Sequence, residues 1–91
     1  MIVGEIYYMN GCTFAYKEDY GGHIEHFICL NQDGNIKVKG VNGTGRIRKS
    51  GSIYLASAPQ RERFFNKMEL AGFWYNKDNK TVFFNGEKVT I

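Results

Sequence analysis

The sequence predicts an α+β fold, mostly antiparallel β. A small bent sheet or an SH3-like, partly open barrel carries one α-helix over residues 58–71 and ends in a β-hairpin. Three observations predict it. Eleven glycines against a single proline in 91 residues mark many tight turns, which short strands need and a helical bundle does not. Between those turns, β-branched and aromatic residues dominate, as they do on pleated, half-buried surfaces. One stretch, opening at Ser57, switches to helical spacing behind a start signal. With 43% hydrophobic and 15% aromatic residues, the chain can bury a core of its own, which excludes disorder. Its length suits one domain, residues 1–91, without room for separate binding and catalytic domains.

Residues 2–9 (IVGEIYYM) read as a strand, and Asn10-Gly11 as the turn of a hairpin whose return is residues 13–17. A turn over Asp19 to Gly22 leads into residues 23–31, apolar on both faces and hence a central strand. Strict alternation there groups Ile24, His26, Ile28 and Leu30 on one face. After the turn at residues 31–35, Ile36 and Val38 point inward and Lys37 and Lys39 outward. Residues 42–45 (NGTG) then read as a hairpin turn with Arg46 to Arg48 as the return strand, and residues 52–56 as a further strand. Ser57 and Gln60 form a capping box, and Pro59 sits in the first turn, where its missing N–H costs nothing. Phe64, Phe65, Met68 and Ala71 fall on one stripe, and Gly72 is the C′ residue. Residues 73–75 and 81–91 come next as strands, with Asn85-Gly86 as a type I′ turn in the last hairpin.

At residues 55–82 the chain resembles a module of small uncharacterised phage and prophage proteins, whose pattern is LATxEExxxFFxxMxxAGYxWNxxxKxV. The matching residues are Leu55, Ala56, Phe64, Phe65, Met68, Ala71, Gly72, Trp74 or Tyr75, Asn76, Lys80 and Val82. Gly4 to Tyr8 (GEIYY) is similar to the GDxIY opening of such proteins. Ser57 stands for the usual threonine, Pro59-Gln60 for the acidic pair, and Leu70 is a departure of this chain. The family implies no established chemistry. Phage proteins of this size are often inhibitors of host defence, and the resemblance implies such a role.

The net charge of +3 is mild, but it is unevenly spread. Residues 1–34 hold Glu5, Glu18, Asp19, Glu25 and Asp33 against Lys17, a balance of −4. Residues 35–63 hold Lys37, Lys39, Arg46, Arg48, Lys49, Arg61 and Arg63 against Glu62, a balance of +6. On the hairpin reading, Lys39 faces Arg46 and Lys37 faces Arg48. Such like-charge pairs cost about 0.2–1 kcal/mol each unless an anion covers them. Lys37, Lys39, Arg46, Arg48 and Lys49 are therefore candidates for an anionic partner, joined by Arg61 in the first helical turn, where helix N–H groups favour anions. Tyr54, outward on the next strand, is a candidate base-stacking residue. The competing reading is that the acidic first third neutralises these cations within the fold. Leu70, between Arg63 and Lys67 on the helix face away from the stripe, is a candidate protein contact if the terminal hairpin leaves it uncovered.

Nothing in the sequence nominates catalysis. No G-x-S-x-G elbow is present, and Gly43-Thr44-Gly45 lacks the rest of a dinucleotide fingerprint. In a strand, His23 and Cys29 point opposite to His26, so they make no joint metal site. His26 reads as a hydrogen-bonded core residue, and Cys12 and Cys29 as small buried hydrophobes kept reduced. No basic leader or long apolar run is present, so a cytoplasmic protein is expected, in the host cell if phage-encoded. No cofactor, metal or membrane contact is expected. The leading expectation is a non-enzymatic, host-directed inhibitor, such as an anti-CRISPR, that engages a bacterial host protein or nucleic-acid complex. The alternatives are a direct nucleic-acid or nucleotide-binding module and a structural protein forming a homodimer or larger assembly.

Overall fold

A computed structural model describes residues 1–90. The chain runs β1 (Ile6–Met9), β2 (Cys12–Tyr20), β3 (His23–Leu30), β4 (Ile36–Lys37), β5 (Arg46–Arg48), β6 (Tyr54–Leu55), α1 (Ala58–Leu70), β7 (Phe73–Asn76), β8 (Thr81–Phe84) and β9 (Glu87–Lys88). Six strands form one sheet in the order β4-β3-β2-β1-β6, with β5 also on β3, and β7-β8-β9 form a second. The strand pairs are antiparallel. The fold is the expected α+β with one helix. Its sheets do not close into a barrel, because β6 ends one edge and β4 and β5 end the other.

Turn chemistry sets the meander. Asn10 and Gly11 take φ of 44° and 87°, and Asn85 and Gly86 take 51° and 83°, the double left-handed geometry that a type I′ hairpin requires. Gly4, at φ 86°, turns the chain before β1, so the first strand begins at Ile6 rather than at residue 2. The Gly4 N–H donates to the Tyr16 carbonyl at 2.7 Å, and its carbonyl accepts from the Tyr75 hydroxyl at 2.8 Å. The expected strand over 52–56 shortens to Tyr54–Leu55. The last expected strand, 81–91, divides into β8 and β9, and its end, Ile91, lies outside the described residues.

Both faces of the main sheet are buried. One packs Ile6, Ala15, Ile28 and Leu30 against Phe64 and Met68 of α1 and Phe73, Tyr75 and Val82 of the second sheet. The other gathers Tyr7, Met9, Phe14, Tyr16, Ile24 and Cys29, with Ile47 and Ile53 folded over them. Strict alternation fails in β3. Ala15 pairs with Ile28 and Tyr16 with His26, leaving Phe27 unpaired; Glu18 then pairs with Glu25, leaving Lys17 unpaired. Each unpaired residue is a bulge that re-aims the side chains beyond it. Ile24 therefore lies in the second cluster while Ile28 and Leu30 lie in the first, and His26, paired with Tyr16, follows Ile24.

The basic hairpin does not form. β4 pairs with β3 at Cys29 and Leu30, whereas β5 pairs with β3 at His23 to Glu25, so the two short strands lie end to end along one edge. The reason is Asn42. Its Oδ1 accepts from the Val38 N–H at 2.8 Å and its Nδ2 donates to the Ile36 carbonyl at 2.7 Å. The side-chain amide thus takes the place a return strand would occupy, a local side chain-to-backbone bond outcompeting the ladder.

The helix begins as expected. The Gln60 N–H donates to Ser57 Oγ at 3.3 Å and the Ser57 N–H to Gln60 Oε1 at 2.8 Å. Phe64 and Met68 are fully buried, a burial of about 2–3 kcal/mol for each side chain. Phe65 packs at their flank, 5.3 Å from the Trp74 ring, while Ala71 is the exposed C-cap rather than a stripe residue. Gly72, at φ 82°, ends the helix, and its carbonyl accepts from the Asn85 N–H at 2.7 Å.

Candidate functional site

Because β4 and β5 do not pair with one another, Lys37 and Arg48 are not cross-strand partners, whereas Lys39 packs against Gly45 and reaches Glu25, the register partner of Arg46, so these two cations meet at a carboxylate rather than across a hairpin. In register, Arg46 sits beside Glu25 and Arg48 beside His23. The Arg46 guanidinium covers the Tyr20 ring at 3.7 Å from its centroid, a cation–π contact of about 0.5–1 kcal/mol at an exposed position. Lys49 Nζ stands 3.3 Å from Asp19 Oδ1, an exposed pair that contributes little. Lys37 Nζ reaches only the Asn42 carbonyl, at 3.5 Å. Part of the acidic first third thus neutralises part of the basic segment. Arg46 and Arg48 stay exposed on the outermost strand of this edge.

The centre of the neutralisation is Glu25. Its side chain is only 8% exposed, yet its nearest cations, Lys39 Nζ and Lys17 Nζ, stand at 3.8 and 3.9 Å. Those distances exceed a hydrogen bond, so the carboxylate has charge compensation from two ion pairs while its oxygens stay open to solvent. The β2 bulge brings Lys17 here, since the extra residue projects over Phe27, with Nζ 5.8 Å from the ring centroid. Glu25 lines a cleft of about 290 Å³ between β2, β3 and the second sheet. Lys80 and Lys88 complete its cationic lining with Lys17 and Lys39, and Phe27, Val38, Val82 and Val89 give it apolar walls. Of these, only Lys39 belongs to the basic segment nominated by charge. Of the other lysines, Lys17 lies in β2 and Lys80 and Lys88 at the second sheet, and Lys17 is indistinguishable from an ordinary outward strand lysine without the bulge.

His26 lines this cleft and also the gap between β4 and β5. It is buried as expected, but its Nδ1 finds no hydrogen-bond partner among the described residues, which corrects the expectation of a satisfied core histidine. Burial holds its pKa down at about 4, partly opposed by the neighbouring Glu25 carboxylate, so the ring is neutral at pH 7. Cys12 and Cys29 lie on the second cluster, where the two side chains act on one another. This holds the half-buried Cys12 down at about 7, while the thiol of buried Cys29 is raised.

The remaining candidates lie elsewhere. Arg61 is near Glu5, whose Oε2 already takes Lys77 Nζ at 2.8 Å; Lys77, and to a lesser degree Arg61, keep the Glu5 carboxyl below its usual range. Tyr54 is exposed on β6, at the opposite edge of the sheet from β4 and β5. It therefore does not interleave with the basic segment. Arg63, Lys67 and Leu70 do share a shallow groove on the outer face of α1, and Leu70 is 84% exposed, uncovered by the terminal hairpin. No described helix is long and apolar enough to cross a membrane. A comparison with models of protein families, with curated proteins and with solved structures finds no match.

Proposed function

We propose that this protein acts by binding rather than catalysis, and that its partner is an acidic surface of another protein. The single observation that carries this reading is the β5 edge. Arg46 and Arg48 are exposed there on a strand paired on one side only, while the nearby carboxylates of Asp19 and Glu25 are taken up by Lys49, Lys17 and Lys39. An edge of this kind offers main-chain donors and acceptors together with positive charge, which suits an acidic segment laid alongside. Charged side chains also protect an edge from self-pairing, and the two roles are compatible. A nucleic-acid partner is less well supported, since Tyr54 lies at the far edge of the sheet from the cations. Host-directed inhibition, as the phage resemblance implies, is the biological role proposed for this binding.

The test is capture from a bacterial lysate, with and without nuclease treatment, by wild type, by a double variant Arg46→Glu and Arg48→Glu, and by Leu70→Asp. The expected result is one stoichiometric partner held by wild type and by Leu70→Asp and released by the double variant. Capture that depends on intact nucleic acid, or capture the double variant retains, contradicts the reading.

A further inference from the structure

The cleft between the two sheets carries a second inference, independent of the acidic-partner reading. We propose that it is a site for a small phosphorylated molecule that also presents N–H or O–H donors, of the size of a mononucleotide or sugar phosphate. Two observations point to a ligand with both features.

The first is charge. Lys17, Lys39, Lys80 and Lys88 line a cleft whose only carboxylate among the described residues is that of Glu25, so the cleft carries a formal excess of positive charge on low-dielectric walls, where fields are focused. Lysine is a point-charge binder of phosphate, and four of them from β2, the β4 loop, the β7–β8 turn and β9 surround one volume. The second is Glu25. The Glu25 carboxylate is ion-paired with Lys39 and Lys17 at 3.8 and 3.9 Å, beyond hydrogen-bond distance, and its oxygens stay open to the cleft. An acceptor that faces a cleft without a protein donor is hydrated there, and a donor on a ligand can take the place of that water. A bare anion cannot supply that donor. A molecule with a phosphate towards Lys80 and Lys88, the lysines not paired with Glu25, and an amino, imino or hydroxyl group reaching Glu25 satisfies both. The Phe27 ring and the valine side walls give its body apolar contact, and about 290 Å³ is near the lower end of small-molecule pockets.

The experiment is amide chemical-shift titration of the full chain at about 50 mM salt with four probes: GMP, AMP, ribose 5-phosphate and inorganic phosphate. The expected result is that at least one donor-bearing probe shifts the amides of residues 25–27, 38–39 and 79–82. Its dissociation constant is expected at about 10–500 μM, at least about tenfold tighter than that of inorganic phosphate. Equal affinity for GMP and ribose 5-phosphate assigns the donors to sugar hydroxyls; tighter GMP or AMP assigns them to the base edge. Both outcomes support the site. Glu25→Gln gives the sharper reading, because removing the carboxylate is expected to weaken the donor-bearing probe about tenfold while strengthening inorganic phosphate. The exposed Lys88→Glu, which leaves the core untouched, is expected to weaken every phosphorylated probe by about threefold or more. No shift at these amides with any probe at about 5 mM overturns the proposal. So does inorganic phosphate binding as tightly as the best probe, or Lys88→Glu leaving affinities unchanged.

Discussion

Acidification should destabilise this protein through His26 well before its carboxylates protonate. The imidazole is buried, its Nδ1 is unpartnered among the described residues, and its folded pKa is lowered to about 4 by desolvation, against an unfolded value of 6.5. A depressed histidine pKa means that the unfolded chain takes up the proton first. Stability is therefore unaffected above about pH 7, falls as pH drops through 6.5, and has lost the full contribution once pH is below about 4. The whole interval corresponds to about 3 kcal/mol, and about 2 kcal/mol of it is lost between pH 7 and pH 5. That is a large part of the roughly 5–15 kcal/mol typical of a domain. Urea unfolding followed by far-ultraviolet circular dichroism at the two pH values reads it as a midpoint lower by about 1–2 M at pH 5. His26→Leu is expected to bring the two midpoints to within a few tenths molar of one another, whatever its absolute stability. A wild-type midpoint unchanged at pH 5, or a shift of equal size in His26→Leu, refutes the reasoning.

The core and the thiols give two further expectations. Phe64→Ala removes a fully buried ring between the helix and the main sheet and should cost about 3–5 kcal/mol, whereas Leu70→Ala should stay within about 0.5 kcal/mol; denaturant titration of the two variants checks the contrast. Iodoacetamide should label Cys12 alone in the native protein, with a rate that rises through about pH 7, because Cys12 is held near that value while buried Cys29 is raised. Two labels per native chain, counted by mass spectrometry, would contradict it.

Features fixed by local chemistry are legible in the sequence. Ser57 and Gln60 form their box, Asn10-Gly11 and Asn85-Gly86 make their turns, and Phe64 and Met68 bury as the helical stripe requires. The candidate site is less legible, for two physical reasons. A bulge is one residue too many relative to a partner strand, and Phe27 and Lys17 carry no mark of it; period-two alternation therefore assigns Ile24 to the wrong face and leaves Lys17 unremarked. The Asn42 amide satisfies backbone groups that an alternating pattern would pair with a neighbouring strand. Lys37, Lys39, Arg46 and Arg48 are thus identifiable as a charged segment but not by the neighbours they have. Lys80 and Lys88 reach the cleft through tertiary packing of the second sheet, which no single segment encodes.

The strand β6 has a consequence for how this chain assembles. β1, β2 and β3 are joined by tight turns and can pair as soon as they are made, whereas Tyr54 and Leu55 must find Tyr8 and Tyr7 about 46 residues away. Closing that loop costs about 3 kcal/mol more chain entropy than a two-residue turn, and a two-residue ladder with the Ala56 N–H on the Ile6 carbonyl at 3.0 Å secures it. The meander is therefore expected to form first and the seam at β6 to close late, together with the helix beyond it. Amide exchange should be fastest along this seam and slowest in β2 and β3. Opening there would expose Tyr8 and the end of the first cluster while leaving the cationic edge, on the far side of the sheet, intact.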